Sequence, residues 1–434
     1  MKLFRPIAIM LLLAGLFTSC KKSLTIQPEN RTVADGYYDS AQKIEQAVIG
    51  GYVDLRRALL ANYAWLMYGE ARTGDLVINV DYQQAVASQR LKADHRYVKQ
   101  LTDWGYFYDV IRDANDLLAI IDKADNSTLN TNQRNLFKGE ALALKSAAYF
   151  YLGRIWGDVP SAETKDYGKR LTSVEAITLA SSFATQAKPL LPWRLINDDG
   201  IESVAITGVR FSRTSATTML AHQQLWLGKS QDAFTLLSGT FTTATTDSLS
   251  SFGLSLGADR RTVLPEQPLG STSSLVSVPL DRLNVIYTTG DARRTTMFNI
   301  SASLNKATLI VKDPTILELF SVREINLLLA EAAWRSGRLD EGKVYLVKAA
   351  AGATENYNNL TAATFGDALL TERRRMLVGT GQRVFDLMRF SKVSTFISAL
   401  TETDVQQGAA FWPLSENSLR GNSLIQNSYW LSKN

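Results

Sequence analysis

Apolar residues recur at three- and four-residue spacing along much of this chain, and that period predicts helices. Three early segments carry it: "SAQKIEQAVIGGYVDLRRALL" at 40–60, "QLTDWGYFYDVIRDANDLLAIIDKA" at 100–124 and "NQRNLFKGEALALKSAAYFYLGRIWG" at 132–157. In the third, Leu142, Ala143, Ala147, Phe150 and Tyr151 form one apolar stripe. Gly157 and Pro160 in "GDVP" then stop the helix.

Two later segments repeat a plan of helix, short turn and helix. They are "RTSATTMLAHQQLWLGKSQDAFTLLSG" and "VREINLLLAEAAWRSGRLDEGKVYLVKAA", with Gly228 and Gly337 at the turns. Small residues at Ala221, Ala233, Ala332 and Gly342 would let the paired helices approach closely. This is a degenerate tetratricopeptide pattern, and two clear copies are too few for a free-standing solenoid. The pairs are therefore expected inside a larger globule. Residues 238–320, rich in Ser, Thr, Gly and Pro, lose the period and predict loops with a few short strands. A stretch that long suits a functional surface. The tail from Phe411 is again irregular, and residues 21–36 read as a polar tether leading into a fold that starts near Tyr37.

The N-terminus changes the picture. Lys2 and Arg5 precede an apolar run from Ile7 to Phe17, followed by small Thr18 and Ser19. The run is shorter than the ~20 residues of a spanning helix and reads as a cleaved signal peptide, residues 1–19. Next comes the chain's only cysteine, Cys20. The order Leu16 to Cys20 resembles a bacterial lipobox, which makes that thiol the expected lipid attachment point. With no second cysteine a disulfide is excluded, so core burial must hold the fold, and 45% hydrophobic residues can supply it. The formal charge of +5, to which Lys2 and Arg5 contribute, gives no support for nucleic-acid binding, where a clustered basic patch is expected.

Catalytic constellations are missing. The two histidines, His95 and His222, lie far apart without an HExxH and read as structural. "GKS" at 228–230 lacks the first glycine of a phosphate loop, and "SLNK" at 303–306 lacks the partner motifs of a serine acylase. Arg373, Arg374, Arg375, Arg383 and Arg389 crowd around Glu372 and Asp386. Such a cluster fits either an anion site or a helix-end ion-pair network that fixes the C-terminal segment. No metal ligands and no cofactor are expected.

Nine pieces stand in a recognisable order: the cysteine followed by "LTIQPENRTV"; "AVIGGYVDLR"; "YGEARTGDLV"; "ANDLL"; "EALALKSAAYFYLGRIWGDVP"; "GDARR"; "VREINLLLAEA"; "ERRRMLVGTGQRVFDLMRF"; and "FWPLSENSLRGNSLIQN". In that order they resemble the SusD/RagB family of outer-membrane nutrient-binding lipoproteins, along nearly the whole chain. Departures occur at Met376 and Thr380, where the family usually carries glutamates, and at Lys21 and Lys22, where surface-bound members are often acidic. The resemblance implies a mostly α, single-domain fold over 37–434, and it puts the arginine-rich motif in the scaffold, which favours the ion-pair network over the anion site. Four degenerate tetratricopeptide-like helix pairs would support an irregular, loop-rich ligand-binding half with a few short strands. It also implies capture of an oligomeric nutrient, foremost a glycan, at the outer membrane, and delivery to a SusC-like, TonB-dependent barrel. A peptide ligand, as in the RagB branch, and a lipid-anchored envelope scaffold are the alternatives.

A sugar site needs exposed rings beside short polar side chains, because pyranose C–H faces pack on aromatics while hydroxyls take hydrogen bonds. The segment 63–84, where the resemblance places a ligand loop, offers Trp65, Tyr68, Asp75, Asn79, Tyr82 and Gln83. Trp193 and Tyr287 are further candidates on irregular chain, whereas Trp104, Trp156, Trp226 and Trp334 fall on helical stripes and belong to the core.

Overall fold

A computed structural model describes residues 37–433 except 93–94, 164–168, 198, 242–253, 258–275, 311–315, 321, 351–352, 354 and 421–423. The expected signal peptide and tether, with Cys20, lie outside the described residues. Ten helices carry the architecture: α1 (Ala41–Leu60), α2 (Gly105–Lys123), α3 (Thr131–Ile155), α4 (Ser173–Leu190), α5 (Arg213–Trp226), α6 (Ser230–Phe241), α7 (Val322–Arg335), α8 (Leu339–Ala349), α9 (Ala362–Met376) and α10 (Arg383–Arg389). The first eight pack as four successive pairs, each laid against the next, and α9 closes the row against α7 and α8. The fold is thus mostly helical, as expected.

Local chemistry starts and stops these helices. Asn130 with Gln133, and Thr172 with Glu175, form reciprocal capping boxes at the N-termini of α3 and α4. Gly228 and Gly337, with φ of 73° and 79°, turn the chain inside the third and fourth pairs, where a side chain would be strained. Ala221, Ala233 and Ala332 are fully buried, and a Cβ on Gly342 would stand 3.2 Å from the Ala330 carbonyl oxygen. The small residues therefore set the helix spacing, as their pattern predicts.

Two expectations need correction. The 100–124 segment is two helices, Arg96–Leu101 and α2, because the Asp103 side chain accepts the Gly105 N–H at 2.9 Å and interrupts the ladder. The 132–157 segment shows no single stripe: α3 is buried on all sides from Gly139 to Ile155. It is the central helix, and its polar residues are paired inward. Glu140 accepts bonds from Tyr52 and Arg210, and Lys145 meets Glu163 at 2.5 Å.

The irregular half holds short antiparallel strands. β1 (Val77–Ile78), β5 (Val276–Pro279), β7 (Lys306–Leu309) and β6 (Phe298–Ser301) form one sheet in that order. β2 (Val159–Pro160) pairs with β3 (Arg170–Leu171), and β4 (Leu254–Gly257) with β8 (Ile316–Phe320). Trp104 and Trp156 lie in the main core, whereas Trp226 sits half-buried at its margin and Trp334 half-buried against a smaller cluster shared by α7, α8 and α9.

The arginine-rich segment forms the expected ion-pair network. Arg373, fully buried, lies 2.9 Å from both Glu324 and Asp386. Arg389 reaches Glu331 at 2.8 Å and Asp386 at 2.9 Å, and its charge with that of Arg335 outweighs burial to hold the Glu331 carboxyl at about 2. Arg375 bridges Glu372 and Glu355, and Arg293 joins Glu372 to Asp291. Arg374 pairs with Asp75, far away in sequence. The helical turn Ala64–Gly69 docks on the same segment: the Glu70 carboxylate accepts N–H bonds from Gly379 and Gly381 at 3.1 and 2.8 Å. Here the chain brings a glutamate in from outside to either side of Thr380.

A Cβ on Gly69 would stand 1.7 Å from the Gly381 carbonyl oxygen. Gly69→Ala should therefore cost about 3 kcal/mol of unfolding free energy in urea, the upper part of the range for overpacking. Burial pushes the Glu70 carboxyl from its ordinary value of 4.5 up to about 8, against the two N–H bonds that favour the anion. An acid that holds its proton more tightly folded than unfolded contributes stability at low pH, and loses it as pH rises from 4.5 through about 8. The stability of the native protein minus that of Glu70→Gln should fall across that window and flatten above it. A flat difference would show that Glu70 stays ionised in the folded state.

Candidate functional site

The 63–84 segment does not present its rings to solvent. Trp65, Tyr68 and Tyr82 are all in the core. Trp65 Nε1 donates to the Gly379 carbonyl at 3.3 Å, Tyr68 Oη to Leu101 at 2.9 Å, and Tyr82 Oη to Asn62 at 2.9 Å. The Tyr68 ring stands edge-on to Trp156 and Trp412. Asp75 is buried against Arg374, and Tyr287, also buried, donates to the Arg375 carbonyl at 2.7 Å. The expectation of a stacking platform on these residues is corrected: each phenol or indole is held inside because its polar atom finds a backbone carbonyl there. Asn79 stays exposed and Gln83 half-buried.

The backbone bends sharply to seat this segment. Asn62 and Tyr63 take successive left-handed conformations, φ 54° and 53°, and Tyr63 is a bulky residue there. The strain is held by neighbours: Asn62 donates to Gln100 and its carbonyl receives Tyr82. Both histidines are structural. His95 caps the Arg96–Leu101 helix through Nδ1 among Tyr82 and Tyr97, and His222 is buried with Nε2 3.0 Å from Glu324. Burial lowers the His222 pKa. No group of three His, Cys, Asp or Glu residues that could hold a metal occurs among the described residues.

Trp193 is the candidate ring that the structure leaves open, 47% exposed. It edges a groove of about 680 Å³ walled by the C-terminal end of α4, by α5 and by α6, and lined also by Lys188, Arg213, Asp232, Thr235 and Gly239. Pro189 sits in the last turn of α4 and the chain leaves the helix at Leu191, freeing carbonyls at its end. Arg213 takes them up, donating from Nε to Leu191 at 2.9 Å and from Nη2 to Pro189 at 3.2 Å. Its guanidinium lies 5.2 Å from the Trp193 ring centre, so the indole is held by a cation that is itself anchored. A fixed flat apolar face beside short polar side chains can bind a small polar ligand with a hydrophobic side, and the volume falls in the usual range of roughly 300–1,000 Å³. The α6 side of this groove carried no signal in the sequence, because it arises only when separate helix pairs stack.

Comparison with known proteins places this architecture. A family model, SusD-like, described as starch-binding and associating with the outer membrane, matches residues 26–223. A SusD-like protein of Bacteroides ovatus is 28% identical over 155 residues, which are 34% of this chain and 26% of that protein. A SusD-like protein of Formosa agariphila is 26% identical over 166 residues, 37% of this chain and 31% of that relative. The matched stretch thus spans less than a third of either relative. Among solved structures, a SusD superfamily protein from Bacteroides thetaiotaomicron shares the fold with a TM-score of 0.76 at 22% identity, covering 91% of this chain and 99% of that one. A laminarin-binding SusD-like protein gives 0.67 at 17% identity, covering 90% and 100%. Motif order, four stacked helix pairs and these likenesses agree: residues 26–223 match the SusD-like family model, and the chain has the fold of the SusD superfamily structures.

Proposed function

We propose that this protein captures an oligosaccharide at the outer membrane and hands it, unaltered, to a SusC-like, TonB-dependent barrel. The observation that carries the reading is the family match over residues 26–223, whose description names both starch and the outer membrane. The laminarin-binding relative with the same fold adds a second glucan. Both favour a glycan over a peptide as ligand.

Anchoring follows from the N-terminus in this reading. Residues 1–19 direct export and are removed, Cys20 carries the lipid, and 21–36 tether a single domain that begins near Tyr37. No helix among the described residues is long and apolar enough to cross a membrane. Two or more acyl chains, at ~0.8 kcal/mol per buried methylene, would hold the protein there. A lipoprotein of this kind has no energy source for transport, so the inward step falls to the barrel, and stacked helix pairs offer a preformed surface on which such a partner could dock.

Cys20→Ala should release the protein from membranes, and mass spectrometry of the native N-terminus should find an acylated cysteine. An unmodified Cys20 would overturn the anchor. Affinity purification of the native protein from detergent-solubilised outer membranes should recover a large barrel in near-equal amount. Recovery without one, where the barrel is expressed, would favour the envelope scaffold, and retention of peptides in place of glycans would move the reading to the peptide branch.

A further inference from the structure

We propose that the groove between α4, α5 and α6 is a glycan-binding site, with one pyranose ring seated on Trp193 and its hydroxyls held by Lys188, Asp232, Thr235 and Thr240. This rests on the glycan reading above and adds to it a place and a set of contacts, on the helix-pair scaffold and away from the 63–84 segment.

The platform comes first. Arg213 covers one side of the indole, and with about half its surface exposed the ring keeps its other side for a ligand. Because Arg213 is fixed to the Leu191 and Pro189 carbonyls, stacking requires little further ordering. The indole is a preorganised apolar face.

The polar groups complement it. Thr235 Oγ1 accepts a bond from Gln231 Nε2 at 3.1 Å, which leaves its own O–H to donate. Thr240 Oγ1 donates to the Leu236 carbonyl at 2.7 Å, which leaves its lone pairs to accept. Lys188 and Asp232 line the groove without an ion pair among the described residues, one a donor and one an acceptor of opposite charge. A sugar hydroxyl both donates and accepts. The set therefore suits a neutral pyranose better than an anion.

Gly239 is the independent sign that space is kept for something. It lies in α6 with ordinary helical backbone, where glycine costs roughly 0.5–1 kcal/mol relative to alanine. A Cβ there would meet nothing within 4 Å, so neither backbone nor packing asks for glycine. What the missing side chain does is leave the groove wall bare beside Thr235 and Thr240.

The test uses the full mature lipoprotein in detergent, titrated calorimetrically with a panel of soluble glycans that includes laminarin and starch-derived maltooligosaccharides. For the best binder, Trp193→Ala should weaken affinity roughly tenfold to a hundredfold, as loss of an aromatic anchor does, while Trp193→Phe retains most of it. Gly239→Leu should fold normally and weaken binding by filling the groove, and Gly239→Ala should raise the melting temperature. Glycan should also change tryptophan emission in the native protein but not in Trp193→Phe. Unchanged affinity in either Trp193→Ala or Gly239→Leu, in a protein that binds, overturns the placement alone. Failure of the native protein to bind any glycan of the panel overturns the glycan reading itself.

Discussion

The structure depends on a set of arginines buried with their carboxylates. Arg373 sits between Glu324 and Asp386, and Arg389 between Asp386 and Glu331, so α7, α9 and α10 are clamped at one locus. Arg374 and Glu70 then fasten the N-terminal segment to α9 and the turn that follows it. Removing these charges from water costs several kcal/mol each, and their mutual attraction repays that only where geometry is good. Such pairs add little net stability, but once formed they tolerate few alternatives, because losing one partner costs about 3–5 kcal/mol. Their effect here is to fix how elements far apart in sequence meet. Arg154 extends the same interior by a different device: its guanidinium lies 3.8 Å from the Phe150 ring centre and 4.3 Å from that of Phe385, and burial lowers its pKa to about 10.

Much of this was legible in the sequence, and the reasons are local. The turns at Gly228 and Gly337, the small residues between paired helices and the stop after α3 each follow from the conformational needs of single residues. The carboxylates at Glu372 and Asp386 made an ion-pair network one of two readings of the arginine cluster, and the resemblance of the motif order decided for it. The partners Glu324, Glu331 and Asp75 were not, since nothing in their own neighbourhoods marks them as buried.

The ligand surface was harder to read, and the 63–84 segment shows why. Tyrosine, tryptophan and short polar residues compose a sugar platform, but they also compose a core segment whose polar atoms are satisfied by backbone. Composition cannot separate the two, because the deciding fact is whether a carbonyl such as that of Leu101 or Asn62 waits within reach. Trp193 differs in its surroundings. It follows Pro192, just beyond a helix that Pro189 helps to end, on chain that turns back at Gly200. That much was readable, whereas the groove around it needed α6 to be stacked beside α4 and α5.

The division of labour between interior and surface then has a physical basis. The hydroxyls of Tyr52, Tyr68, Tyr82, Tyr108, Tyr149, Tyr287 and Tyr357 are each spent on a carbonyl or a carboxylate inside the protein. A group already bonded in a dry interior has nothing to offer a ligand without breaking that bond, and an unmade buried bond costs about 1–3 kcal/mol. Recognition is cheaper where side chains still have donors or acceptors to spare and water has ready access. Thr235, Thr240, Lys188 and Asp232 meet that condition next to an exposed ring. A scaffold whose interior tyrosines are tied down in this way also holds the groove walls at fixed separation, so a ligand there meets a site already shaped.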